Sequence, residues 1–253
     1  MSTTAGGPTT DFDWSSFDGV LFDLDGVITP TAEIHEHAWG ELFADFDFTE
    51  ADYLRYVDGK PRYDGVRSFL ASRGVVLPDG DPGDPPGSET VCAMGNRKNE
   101  LFNVILARDG IEPYPSSAAT LELLAERDIA TAIVSSSKNA RTVLDAAGLG
   151  DRFEVVVDGI VAAQQSIAGK PAPDMFTHAA AELGVDPERT VVVEDAVSGV
   201  AAGAAGGFAV VIGVDRGAGA DALLEHGATF VVDDLAALLP DDQARNDQHG
   251  DAT

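Results

Sequence analysis

Short apolar runs and longer helix-like stretches alternate along most of this chain. Runs at 19–24, 130–135, 155–157, 191–194, 209–213 and 229–232 are rich in valine and other apolar residues and read as strands. Residues 118–127, 140–149, 174–183 and 197–206 have helical composition, with a shorter candidate at 222–226. Strand and helix taken in turn predict a parallel sheet with crossover helices. Residues 31–109 break that rhythm. There 31–44 and 100–107 look helical, and the stretch 78–89, rich in Pro, Gly and Asp, reads as turns. The pattern predicts an α/β fold, a Rossmann-like doubly wound parallel sheet with a small helical cap domain inserted after the first strand. The core is expected over 14–30 and 110–240 and the cap over 31–109. Residues 1–13 and 241–253 are expected to be disordered tails.

Chemistry enters where the first apolar run ends, at Asp23-Leu24-Asp25-Gly26. Residues two apart on a strand share a face, and open α/β sheets bind ligands at the carboxyl ends of their strands. Two carboxylates placed there repel unless a cation or a shared proton compensates. A hard divalent ion, Mg2+, satisfies that need and leaves one carboxylate to attack phosphorus.

Composition narrows the partners. Asp and Glu total 43 against 16 Lys and Arg, a net charge of −27. Such a chain is a poor match for nucleic acid or an anionic membrane, since both are polyanions. Cys92 stands alone, so no internal disulfide can form, which suits a reducing cytoplasm. The start lacks the apolar core of a signal peptide, and no run approaches the roughly 20 apolar residues of a membrane span. A cytoplasmic monomer acting on a small molecule is the expectation.

Three later segments bring the complementary groups. The second strand candidate runs into Ser135-Ser136-Ser137-Lys138-Asn139, Lys170 precedes Pro171, and the fourth strand candidate ends in Glu194-Asp195. If the strands are parallel, all converge on Asp23. Ser135 can hydrogen-bond a non-bridging phosphoryl oxygen and Lys170 can neutralise charge on the transferring group, and Glu194 and Asp195 can complete an oxygen shell for a metal with Asp23. Of four lysines (Lys60, Lys98, Lys138, Lys170), Lys138 and Lys170 fall in these segments.

These motifs, in this order, resemble the haloacid dehalogenase superfamily, and within it the β-phosphoglucomutase-like family. The latter likeness rests on Thr31, His35 and Trp39, on Gly59 with Arg62, on Arg97-Lys98-Asn99, on Ser137-Lys138-Asn139 and on Lys170-Pro171-Ala172-Pro173-Asp174. The resemblance implies an Mg2+-dependent phosphotransferase with a sugar phosphate substrate. Asp23 would be the nucleophile that becomes an aspartyl-phosphate. Asp25 would be the general acid/base and ligate Mg2+ through its carbonyl. Arg62 would grip a second phosphate, Lys98 and Asn99 would contact the sugar, and His35 would help orient Asp25. Lys138 would lie near the metal and phosphate.

Asp58 stands where the family has a basic residue, and the 78–89 insertion has no counterpart in the compact mutase. The alternatives are a sugar-phosphate phosphomonoester hydrolase with the same nucleophile and a non-catalytic phosphate-binding module. The module would lack the active-site acids, yet the full set is present.

Overall fold

The computed structural model describes residues 12–57 and 60–240, divided into two compact units. One comprises residues 1–30 and 111–253, the other residues 31–110. The first is built on a sheet of six parallel strands, β1 (Gly19–Phe22), β2 (Ala130–Val134), β3 (Val155–Val157), β4 (Thr190–Glu194), β5 (Val210–Val214) and β6 (Phe230–Val232). Their order is β3-β2-β1-β4-β5-β6. Every residue of β1, β3 and β4 is buried, which is why these strands read as unbroken apolar runs rather than alternating ones. Leu21, Val134, Val157 and Val192 share a core with Met175 and Phe176 from the helix Asp174–Leu183.

Strand β1 lies at the point where the order reverses. It pairs with β2 on one side, Phe22 opposite Ile133, and with β4 on the other, Phe22 opposite Val193. The sequence suggested that β1 continues to Leu24. Instead the Leu24 carbonyl accepts from the amides of Ile28 and Thr29, closing a turn. Asp23 still donates its amide to the Val193 carbonyl at 2.9 Å, so its backbone keeps the direction of the strand.

Residues 12 and 13, expected to belong to a disordered tail, are fixed by packing and capping. The Phe12 ring meets Trp14 and Phe230 edge-on, and Asp13 caps the short helix Trp14–Ser16. Trp14 is fully buried and donates its indole N–H to the Leu238 carbonyl. The remaining tail residues, 1–11 and 241–253, lie outside the described residues. Among the described residues no helix is long and apolar enough to cross a membrane.

The second unit is helical. Its main helices are Thr31–Leu42, Arg62–Ser72 and Val91–Asp109, with a π-helical segment Tyr53–Val57. Its core is aromatic, Phe43 lying 4.1 Å from Phe69 and 5.5 Å from Trp39 between ring centres. Gly65 permits this packing, since a Cβ there would reach Trp39 at 3.0 Å. The last helix starts nine residues before the 100–107 reading because Thr90 caps it, accepting from the amide of Ala93.

The Pro/Gly/Asp-rich segment is pinned to this helix. Asn96 donates to the carbonyls of Pro82 and Asp84, and its own oxygen accepts from the Tyr63 hydroxyl.

Candidate active site

The site grows from three adjacent strand ends. Lys170 comes from a loop after β3, and the peptide bond joining it to Pro171 is cis. Its ammonium has three hydrogens to give, and the acceptors are Asp23 Oδ1 at 2.5 Å, the Val134 carbonyl at 2.8 Å and Glu194 Oε1 at 2.6 Å. One buried cation thereby ties β1, β2 and β4 together. Burial works against its charged form, but the attraction of Asp23 and Glu194 prevails and holds its pKa above the ordinary lysine value.

Glu194 is 1% exposed. Its second oxygen accepts from the amide of Ala196 at 2.9 Å. Both oxygens are thus bound within the protein, which makes Glu194 the counter-charge of Lys170. Gly199, at the start of the helix Val197–Ala205, makes room for it.

The other carboxylates differ. Asp23 keeps Oδ2 without a hydrogen-bond partner among the described residues, and burial pushes its pKa well above the usual carboxylate range. Lys170 pulls it down, while Glu194, Asp25 and Asp195 push it further up. Asp195 is pushed up to about 8, first by burial and then by the charges of Glu194 and Asp25. Asp25 sits half-buried in the turn after β1. Next to it Gly26 has φ +79°, and a Cβ there would lie 2.0 Å from Asp195 Oδ2, so the turn and Asp195 approach as closely as glycine allows.

This is negative charge that one lysine does not balance. Among the described residues no three His, Cys, Asp or Glu side chains form a ready-made metal cage. A site with two carboxylates and a carbonyl, completed by phosphate and water, is the kind that suits Mg2+. The all-oxygen donors and unbalanced charge around Asp23, Asp25 and Asp195 fit that ion.

Ser135 is fully buried beyond the end of β2. Its oxygen accepts from the amide of Ser137 at 3.1 Å, so its hydroxyl hydrogen is what it can offer a ligand. Ser137 in turn accepts from the amide of Asn139, shaping a tight turn that leaves Lys138 exposed. Asp25, Ser135, Lys170, Glu194 and Asp195 thus come with Asp23 to one end of one sheet.

The residues expected from the helical unit form their own group. Lys98, 6% exposed, lies 2.5 Å from His35 Nδ1 and about 5 Å above the rings of Trp39 and Phe102. An ammonium can only donate, so Nδ1 accepts and the ring proton resides on Nε2. Burial, helped by the charge of Lys98, lowers the His35 pKa to about 3, so the ring is neutral near pH 7. Trp39 is 4% exposed and packs on Phe43. Thr31 is fully buried at the first turn of its helix and Asn99 is half-buried. Arg62 is half-buried beside Gly95 with no carboxylate partner among the described residues. Lys60 is exposed and bonds Ser68. Gly59 lies outside the described residues.

Sequence reasoning did not find Arg216, whose guanidinium reaches the Gly26 carbonyl at 3.1 Å. Nor did it find Gly199. Arg216 acts on a residue 190 positions away in sequence, Gly199 matters only once its helix packs against the Glu194 carboxylate, and neither sits in a recognisable motif.

A model of the haloacid dehalogenase-like hydrolase family matches residues 17–207. The chain is 50% identical over 238 residues to a β-phosphoglucomutase of Mycobacterium bovis, an alignment spanning 87% of this chain and 90% of the relative. The solved β-phosphoglucomutase of Clostridium difficile shares the fold at a TM-score of 0.67 and 24% identity, covering 92% of this chain and 99% of that one. A haloacid dehalogenase family hydrolase of Deinococcus radiodurans, solved with bound phosphate and sodium, is 31% identical at a TM-score of 0.67, over 86% and 91% of the two chains. The chain belongs to the haloacid dehalogenase-like superfamily and, within it, to the β-phosphoglucomutase-like family of enzymes.

Proposed function

We propose that this enzyme is a β-phosphoglucomutase, converting β-glucose 1-phosphate to glucose 6-phosphate through a bisphosphate, as a cytoplasmic monomer with Mg2+. The observation that carries the chemistry is the Lys170 ammonium shared by Asp23 and Glu194. It fixes Asp23 at the carboxyl end of the central strand with one oxygen left unbonded among the described residues.

In this reading Asp23 Oδ2 attacks phosphorus. An Asp23–phosphorus bond forms as the bond from phosphorus to the sugar oxygen breaks. Asp25 protonates the departing oxygen, and in the second half-reaction takes the proton of the incoming hydroxyl. Ser135 donates its hydroxyl hydrogen to a non-bridging oxygen, and Lys170 offsets charge on the transferring group. Glu194 keeps Lys170 charged and in place, and since each of its oxygens has a further lone pair it can also serve the metal, as expected of it.

The side chains of Asp23 and Asp195 and the carbonyl of Asp25 would hold Mg2+, which when bound supplies charge neutralisation at phosphorus and keeps Asp23 ionised. In the helical unit Arg62 has the planar fork suited to a second phosphate. His35 Nε2–H, Lys98 and Asn99 are the groups with hydrogens for sugar hydroxyls.

Purified protein supplied with β-glucose 1-phosphate, Mg2+ and a trace of glucose 1,6-bisphosphate should form glucose 6-phosphate, read with a coupled dehydrogenase. Release of inorganic phosphate without glucose 6-phosphate would reject the mutase. Asp23→Asn should abolish turnover, and retained turnover would remove Asp23 as nucleophile.

A further inference from the structure

Asp25 is followed by the residue least able to hold it still. Glycine restricts neither φ nor ψ, so a general acid preceding Gly26 needs its backbone fixed from outside. Three successive carbonyls of this turn are each taken by a different donor. The Gly26 carbonyl accepts from Arg216 Nε at 3.1 Å, that of Val27 from the Ser117 hydroxyl at 2.6 Å and that of Ile28 from the Tyr114 amide at 2.9 Å. The Gly26 amide donates to the Thr29 carbonyl at 2.9 Å. Gly26 is therefore held at both ends, and Arg216 supplies one of the two holds.

Arg216 is itself built in. Its remaining nitrogens donate to the Asp233 carbonyl and to Asp234 Oδ2, both at 3.2 Å, and its guanidinium lies 4.0 Å from the centre of the Tyr114 ring. The loop carrying it folds around Asp215, whose carboxylate accepts from the amides of Gly217 and Gly219. A planar fork can meet acceptors on separate segments at once, which a single ammonium cannot do as well.

We propose that Arg216 is a positioning residue for Asp25, fixing the turn so that the carboxyl group meets the sugar oxygen it protonates. This rests on the acid/base role given to Asp25 above.

The test uses leaving groups of different need. A sugar oxygen must be protonated as it departs, whereas para-nitrophenolate is stable as an anion. The full-length Arg216→Met, Arg216→Lys and Asp25→Asn variants are compared with wild type in Mg2+. Glucose 6-phosphate formation is measured alongside the first-turnover burst of para-nitrophenolate from para-nitrophenyl phosphate. Arg216→Met should lower kcat on the sugar phosphate about 100-fold, the scale of a small misplacement of a reacting group. The burst rate should stay within about threefold of wild type, since no misplaced proton donor is involved. Arg216→Lys should fall between.

Equal losses on both substrates, or no loss on either, overturn the proposal. Should Arg216→Met fail to unfold cooperatively, the same comparison with Arg216→Lys decides. Asp25→Asn separates the two claims. If it does not discriminate between leaving groups, the acid/base assignment fails. If it discriminates and the Arg216 variants do not, only the role of Arg216 falls.

Discussion

Gly199 stands where any side chain would enter the space of the Glu194 carboxylate, for a Cβ built there lies 1.7 Å from Glu194 Oε1. A single methyl group would therefore displace the partner of Lys170, and Lys170 is what joins three strands. Gly199→Ala should destabilise by about 1–3 kcal/mol, the usual range for overpacking, and lower activity with it. In a Glu194→Ala background the added methyl should be tolerated. A double-mutant cycle by urea unfolding checks this coupling, and additive effects would contradict it.

Lys170→Met leaves Asp23 and Glu194 facing one another without their shared cation. Loss of one partner from a buried ion pair is expected to cost about 3–5 kcal/mol. Asp23 would then have weaker reason to ionise, so phosphorylation of the enzyme should fall by at least about a thousandfold, as for lost transition-state electrostatics. Phosphoprotein formation at saturating substrate, measured alongside denaturant unfolding, separates the two effects.

Mg2+ should stabilise the folded protein apart from any turnover. Binding to the native state alone stabilises it by about 2.7 kcal/mol at 100 times Kd, so the melting temperature rises with ligand concentration. Wild type should show this rise and Asp195→Asn should show little of it. An equal rise in both would place the ion elsewhere.

The His35 ring titrates about 3 in the fold against an ordinary value of 6.5. Between those values the unfolded chain binds a proton that the native protein refuses, so stability rises with pH across this window. Acidifying from pH 6.5 towards 3 should therefore destabilise, by at most about 1.4 kcal/mol per pH unit from this residue. The wild-type slope should exceed that of His35→Gln over the same interval. Matching slopes in denaturation series would show that His35 protonates freely.

Asn96→Ala removes the anchors of the Pro82 and Asp84 carbonyls and the partner of Tyr63. Each lost hydrogen bond contributes about 0.5–1.5 kcal/mol, and the freed stretch 78–89 becomes a loop open to proteases. Limited proteolysis should cut there sooner in the variant than in wild type. Unchanged cleavage would mean that the segment is held by other contacts, such as Thr90 to Asp84 and Arg67 to Asp79.

The strands could be read because a parallel sheet buried on both faces needs uninterrupted apolar residues, and Val191-Val192-Val193 is such a run. Asp23 and Asp25 could be read because two acids at the end of such a run demand a reason. Helices carrying weaker patterns escaped. Arg62–Ser72 contains Gly65 and several charges, and Gly159–Gln165 is only seven residues long and begins at the Asp158 cap. The hold of Glu194 on Lys170 was also hidden, since its neighbour Asp195 is an equally acidic residue in one dimension. Which of two adjacent acids faces a lysine 24 positions away is decided by strand register and by the room Gly199 leaves. Arg216 lies 190 residues from Gly26, and no local pattern announces such a bond.

Of the six strands in the sheet the central one, β1, is made before the others, so both of its neighbours are synthesised later. Asp23 meets its ammonium only after 147 further residues have been made. A nascent polypeptide that has not reached that point carries Asp23 without Lys170 and Glu194 beside it. On the role proposed for Asp23, its chemistry waits until β4 has been made, and the connectivity of the sheet sets that delay.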